Sequence, residues 1–245
     1  MKILDLKDMV KENPKVLILG DVHAEWLLLN RVIREYQPDV ILQTGDFGFW
    51  PGHKKLSWKH LFPRNTLIFW CDGNHEDHWA LNKMRDVQEV PEPIVVRKNT
   101  YYCPRGSAIR LPDGRVVLFM GGADSIDKAH RTLGVDWFQE EIISIADVYK
   151  VPDYEKVDIV ISHTNPRKFD VVTGTPLAGM SGTPITGKYN DPSCISLDEI
   201  YDKFKPKLWF FGHYHMNHSK VYDECKWFTI DCAGNDEWAI DLESV

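Results

Sequence analysis

Apolar residues in this chain fall in short, nearly unbroken runs, and each of five runs is cut off by a polar cluster. Val16 to Leu19 stops at Gly20-Asp21-Val22-His23, and Val40 to Leu42 is followed by Gly45-Asp46-Phe47-Gly48. Leu67 to Trp70 leads into Gly73-Asn74-His75-Glu76, Val157 to Ile161 into Ser162-His163, and Leu208 to Phe211 into Gly212-His213-Tyr214-His215. Short apolar runs bounded in this way predict strands buried on both faces. Between the first two, Leu28, Val32, Ile33 and Tyr36 recur at helical spacing, so Glu25 to Tyr36 predicts a helix that Pro38 stops. Strand, helix and strand at about 30-residue spacing is the βαβ pattern of a parallel or mostly parallel sheet.

The middle of the chain has a different rhythm. Ile94 to Val96, Ala108 to Leu111 and Val116 to Met120 predict closely spaced strands, with a hairpin turn at Leu111-Pro112-Asp113-Gly114-Arg115. Asp136 to Tyr149 predicts a helix, and so does Ser196 to Phe204, with Ser196 as N-cap and Glu199 completing a capping box. Two last strands are expected around Val221 and over Phe228 to Ile230. Pro166 to Pro192 is rich in Gly, Thr and Pro and carries little periodicity, which suits a lid or substrate loop as well as a plain surface connection. With no repeat and no linker-like break, residues 1–245 read as one α/β domain.

Composition narrows the setting. The formal charge of −7 counts against a broad basic surface for nucleic acid. The cysteines, Cys71, Cys103, Cys194, Cys225 and Cys232, are odd in number and lack C-x-x-C spacing, so buried free thiols in a reducing compartment are expected. Met1 to Pro14 alternates apolar and charged residues without a signal-peptide core, and no apolar run is long enough to span a membrane. A cytoplasmic location without membrane attachment is expected.

The chemistry lies in where the polar residues sit. In open α/β sheets ligands bind at the carboxyl ends of the strands. Asp21, His23, Asp46, Asn74, His75, His163, His213 and His215 all follow predicted strands. Any one of them alone is more simply a turn former or a satisfied structural histidine. Half of the ten histidines falling at such places is poorly explained by chance. Two carboxylates, an amide oxygen and several imidazoles suit first-row metals, and they are too many for one ion. Two ions about 3.5–4 Å apart, sharing a carboxylate, use the set naturally and make a bridging hydroxide available for attack at phosphorus. Manganese heads the candidates, with iron, zinc, cobalt and nickel open. His53, His60, His78, His130 and His218 lack such placement and read as surface or structural, with His78 and His130 nearest to the motifs. Trp50, Trp58, Trp70 and Trp79 lie near the motif blocks, either as core or as a wall on which a nucleobase stacks.

In order and spacing, G-D-x-H at Gly20, G-D at Gly45, G-N-H-E at Gly73, the strand-end His163 and G-H-x-H at Gly212 resemble the five blocks of calcineurin-like metallophosphoesterases. The G-D-F-G block and the Gly121-Gly122-Ala123-Asp124-Ser125-Ile126-Asp127 segment resemble bacterial and phage members. The resemblance implies an αββα four-layer sandwich with two central mixed sheets. It implies that Asp21, His23, Asp46 and His215 hold a first metal, that Asp46 bridges, and that Asn74, His163 and His213 complete a second. It makes His75 the catalytic residue at the phosphate or leaving oxygen and puts Asn74 beside the substrate. The implied activity is dinuclear-metal-dependent hydrolysis of phosphomonoesters or phosphodiesters, on a phosphorylated small molecule or nucleotide. A non-catalytic scaffold and a nuclease are the alternatives. Phe49 and Trp50 stand where the protein-phosphatase branch has an Asp and an Arg, which counts against protein phosphatase activity and leaves Glu76 or Asp72 to orient His75. Arg131 is expected either to reach the substrate phosphate or to pair with Asp124 or Asp127.

Overall fold

The apolar runs do form strands, and a computed structural model, which describes residues 3–54, 56–171, 191–235 and 237–245, arranges them in two sheets. In the first, β2 (Val16–Leu19), β3 (Val40–Gln43), β4 (Leu67–Trp70) and β6 (Thr100–Tyr102) run parallel. Antiparallel edges close it, β13 (Ala239–Asp241) beside β2 and β5 (Ile94–Arg97) beside β6. In the second, β8 (Val116–Met120), β9 (Ile159–Ser162), β10 (Leu208–Phe211) and β12 (Cys225–Thr229) run parallel. β7 (Ala108–Arg110) and β11 (His218–Tyr222) flank them antiparallel, and β1 (Leu4–Asp5) adds to β7.

Alternation along the strands builds three apolar layers. Val16, Ile18, Val40, Leu42 and Phe69 of the first sheet meet Val117, Phe119, Ile159, Ile161 and Phe210 of the second between the sheets. The alternate residues Leu17, Leu19, Ile41, Ile68 and Trp70 face outward onto α1 (Trp26–Tyr36) and onto Leu81 of α2 (His78–Arg85). Leu118, Val160, Trp209 and Phe211 pack on α3 (Ile145–Tyr149) and α4 (Pro192–Phe204). Each central strand is covered on both sides, which is why its sequence is an apolar run and not an alternation. Helix, sheet, sheet and helix make the expected four layers.

Two expectations are corrected. The helix over Asp136 to Tyr149 begins only at Ile145, where Ser144 and Asp147 form a reciprocal capping box. Upstream, the Arg105 guanidinium donates to the carbonyls of Glu140 (2.8 Å), Glu141 (2.9 Å) and Ile142 (2.9 Å), holding that backbone out of a helical ladder. The last helix starts at Pro192 and not at Ser196, because Asp191 caps it by accepting from Ser193 N, and proline suits the first helical position. Ser196 is buried inside that helix and donates to Ile143 O at 2.8 Å. The five strand ends come from both expected sheets, β2, β3 and β4 from one and β9 and β10 from the other.

α2, β1, β6 and β13 are short elements that the sequence pattern did not signal. The hairpin at Leu111–Arg115 closes as expected, with Gly114 at φ 91° donating to Leu111 O. Of the loop expected at Pro166 to Pro192, residues 172–190 lie outside the described residues. Cys71, Cys103, Cys194 and Cys225 are buried free thiols, and Cys232 is half-buried. No helix among the described residues is long and apolar enough to cross a membrane.

Candidate functional site

The carboxyl ends of β2, β3 and β4 meet those of β9 and β10 at one edge of the sandwich. Asp21 and Asp46 reach it fully buried, with Asn74 and His163 equally enclosed. The ligand atoms of Asp21, His23 and His215 lie within 4.8 Å of one another, and so do those of Asp21, Asp46 and His163. His215 Nε2 is 3.1 Å from Asp21 Oδ2 and 3.1 Å from His23 Nε2. Asp46 Oδ2 stands between the two groups, 3.9 Å from His23 Nε2 and 3.4 Å from His163 Nε2. Asn74 Oδ1 is 3.0 Å from His163 Nε2, and the His213 ring packs against His163 with centroids 4.9 Å apart. The structure thus gathers the seven residues expected as ligands. His213 alone among the histidines of the set belongs to neither tight group.

Local backbone chemistry explains the motif pattern. His23, Asp46, His213 and His215 have φ of 49°, 50°, 66° and 47°, in the left-handed region that non-glycine residues rarely visit. Strain of this kind persists only where the surroundings over-determine it, and it concentrates at functional sites. Two motif glycines are required by close approach. A Cβ on Gly73 would lie 2.1 Å from Asp46 Oδ1, and one on Gly212 would lie 1.9 Å from Asp21 Oδ1. Backbone donors then hold the carboxylates, His75 N to Asp46 Oδ1 at 2.8 Å and His213 N to Asp21 Oδ2 at 3.1 Å.

The electrostatics of the edge call for positive charge. Burial pushes the Asp21 and Asp46 carboxyls up, but the surrounding imidazoles, His163 first among them, together outweigh it and both end below the ordinary carboxylate value. Burial pulls His163 down, yet Asp46 and Asp21 raise it to about 10. His215, bonded to Asp21 and then to Cys232, is raised to about 11. Half-buried His213 moves down to about 3, through loss of hydration and then the neighbouring His163. Among the described residues no lysine or arginine pairs with either carboxylate, so only imidazole protons oppose them. A mixed oxygen and nitrogen donor set that retains protons so strongly fits first-row metal ions, whose binding displaces such protons.

His75 lies at the open side, 4.0 Å from Asp46 Oδ2 and with its side chain 42% exposed. Partial burial of the ring lowers its pKa, Arg131 and His23 adding to the effect and Asp46 opposing it. Neither Glu76 nor Asp72 orients it. Glu76 accepts from Gly48 N (3.0 Å) and Gly73 N (2.6 Å), tying the Asp46 turn to the Asn74 turn. Asp72 accepts from Tyr102 Oη (2.8 Å) and Arg105 Nη2 (3.0 Å). Arg131 is what meets His75, its Nη2 2.8 Å from Nε2 and 2.9 Å from Nδ1, while its Nε pairs with Asp127 at 2.8 Å. The two expected uses of Arg131 are therefore compatible. Asp124 pairs with Lys128 instead.

The remaining aromatic and histidine candidates sort by burial. Trp50 donates its indole N–H to His75 O at 2.8 Å, Phe49 is buried against Trp58 and Trp70, and Trp70 is core. Trp79 is half-exposed over Phe138. His78 is fully buried and lowered by burial to about 3, so it is neutral and donates Nε2–H to Gly73 O (3.0 Å), supporting the Asn74 turn. His130 is exposed. Sequence reasoning set His78 apart as near the motifs without giving it a task, and it missed the support from Arg105 and Ser125, of which only Ser125 lay in a segment already singled out, Gly121–Asp127.

A family model described as calcineurin-like phosphoesterase matches residues 14–217. No curated protein matches the chain. Among solved structures, the phosphopantetheinyl hydrolase PptH from Mycobacterium tuberculosis is 12% identical over 95% of this chain and 97% of that one, with a TM-score of 0.48. A candidate 5′-nucleotidase from Staphylococcus aureus, in complex with α-ketoglutarate, is 16% identical over 89% of this chain and 48% of that one, with a TM-score of 0.50. GAP50, the anchor in the inner membrane complex of Plasmodium, is 10% identical over 88% and 70%, with a TM-score of 0.43. At such identities the likeness to the Staphylococcus protein, about half of whose length this chain spans, is one of fold.

Proposed function

Since the chain belongs to the calcineurin-like phosphoesterase family, we propose that it hydrolyses phosphomonoesters or phosphodiesters with two metal ions at the strand-end edge. The observation that carries this reading is the pair of buried carboxylates, Asp21 and Asp46, opposed by imidazoles and by no lysine or arginine among the described residues. Asp21, His23, Asp46 and His215 would hold one ion, and Asp46, Asn74, His163 and His213 the other. Bound there, the ions supply Lewis acidity toward phosphoryl oxygens and lower the pKa of water.

The chain's own residues then have separable tasks. Asp46, whose Oδ2 stands between the two groups, sets their separation. Arg131 has its Nε fixed by Asp127 and its Nη1 turned to Asn74 O, Ser125 Oγ and Asp136 O, which leaves Nη2, beside His75, to meet a phosphate oxygen. Arg131 is a donor only, so the His75 nitrogen that accepts from it is bare. With a phosphate oxygen taking the Arg131 N–H in its place, the His75 ring would be free to carry a proton to the leaving oxygen, as general acid catalysis requires. Phe49 and Trp50 are taken up by packing and by the His75 carbonyl, which leaves phosphate recognition to Arg131 and Asn74.

The test is turnover of p-nitrophenyl phosphate and bis-p-nitrophenyl phosphate by metal-stripped protein to which Mn²⁺, Fe²⁺, Co²⁺, Ni²⁺, Zn²⁺ or Mg²⁺ is returned singly. Metal-dependent release of nitrophenolate is expected, and the ratio between the two substrates ranks mono- against diester. Two bound ions with no cleavage of either ester would refute the hydrolase.

A further inference from the structure

We propose that Ser125 is a positioning residue that turns the Asn74 amide so that its oxygen, and not its nitrogen, faces the metal edge. The inference rests on the reading that this edge holds two ions. A carboxamide presents oxygen and nitrogen in nearly the same shape, and only the oxygen has lone pairs to give a metal. Something must therefore decide the flip. In the structure Asn74 Oδ1 lies 3.0 Å from His163 Nε2, and Asn74 Nδ2 donates to Ser125 Oγ at 3.1 Å.

A serine hydroxyl can donate as well as accept, so its own proton has to be engaged elsewhere for the choice to hold. Ser125 is fully buried, and Glu141 meets it from behind. Glu141 Oε1 accepts from Ser125 N at 2.7 Å and from the Trp137 indole at 3.0 Å, fixing the backbone that carries the hydroxyl. On the site side Arg131 Nη1, which can only donate, lies 3.4 Å from Ser125 Oγ, so the hydroxyl is turned with a lone pair toward the site and its proton away from it. Asn74 Nδ2 donates to the same oxygen. Ser125 thus joins the metal side of the site to its phosphate side, and it gives the Gly121–Asp127 segment a task.

The experiment is a double-mutant cycle read by Mn²⁺ binding to metal-stripped full-length protein, using titration calorimetry and bound-metal stoichiometry. Ser125→Ala in the parent chain should weaken the second ion by about 10–100-fold, the usual effect of losing a partner that orients a ligand. In an Asn74→Asp background both outer atoms are oxygens and there is no flip to decide, so Ser125→Ala should change affinity within about twofold. Thermal melts of the metal-stripped proteins check folding. Ser125→Cys, which keeps the volume with a weaker acceptor, is run in parallel and should fall between Ser and Ala. Equal losses in both backgrounds would mean general support and overturn the inference, as would an alanine variant that binds both ions like the parent. A parent chain that takes up fewer than two ions would overturn the dinuclear reading itself, and this inference with it; the parent arm reports that failure separately.

Discussion

Asp46 and Asp72 follow adjacent strands of the same sheet, β3 and β4, and both are fully enclosed, yet their charge is met in opposite ways. Asp72 takes a hydrogen bond from Tyr102 and lies 3.0 Å from Arg105 and 3.7 Å from Arg85. Arg105 passes the charge on to Asp147 at 3.1 Å. That cluster is complete: permanent cations, fixed geometry, nothing exchangeable. The only cationic groups beside Asp46 among the described residues are imidazoles, whose protons can leave. A buried carboxylate with a guanidinium is structure, whereas one left to titratable rings invites an exchangeable cation.

The comparison can be broken from either side. The largest effect is expected from Asp46→Asn, which should abolish turnover and loosen both ions; retained activity would remove Asp46 from the centre of the site. His75→Ala should keep the ions while slowing turnover by about 10²–10⁴. Loss of metal in that variant would mean that His75 also meets the charge of Asp46. Asp72→Asn leaves two guanidinium groups without their shared counter-charge and should cost about 3–5 kcal/mol, measured by denaturant unfolding.

The pH dependence of that last effect has a definite sign. Although burial raises the Asp72 carboxyl, Arg105 and Arg85 outweigh it and hold its folded pKa well below the ordinary value of 3.8. Its contribution is therefore fully present above that value and is lost as pH falls through the folded pKa, so the gap between parent and Asp72→Asn should narrow only in strong acid. A gap that instead closes near neutrality would point to another group. The smallest effect is the sharpest contrast. In metal-stripped protein Asp46→Asn should cost less than Asp72→Asn, because His163, unlike a guanidinium, can release its proton when its counter-charge is removed.

What could be read along the sequence and what could not divide by range. The strands of the buried runs and α1 were legible because their pattern is local and both faces are covered. The strand-end placement of Asp21, Asp46, Asn74, His163 and His213 followed from the same runs. The split of those strands between two sheets was not legible, since an apolar run carries no record of its neighbours. Nor were the contacts that decide local form. Arg105 unmakes the expected helix near Glu141 from 36 residues away, and Ser125 reaches Asn74 across 51. Arg131 shows the limit in one residue: its pairing with Asp127, four positions off, was open to local reasoning, and its contact with His75, 56 positions off, was not.

The division of the edge between two sheets has a consequence for how the protein matures. Asp21 and His213 touch across 192 positions of chain, so the edge closes only when β10 has docked beside β9 and the sheets have packed. Contacts of such separation carry the loop-closure cost of the whole chain and form late. On the proposed reading neither sheet alone would hold a full set of donors, so a nascent chain that has not yet released β10 would not complete the site. Ion uptake would then be a clasp fastened last, and tight metal retention a readout of finished assembly.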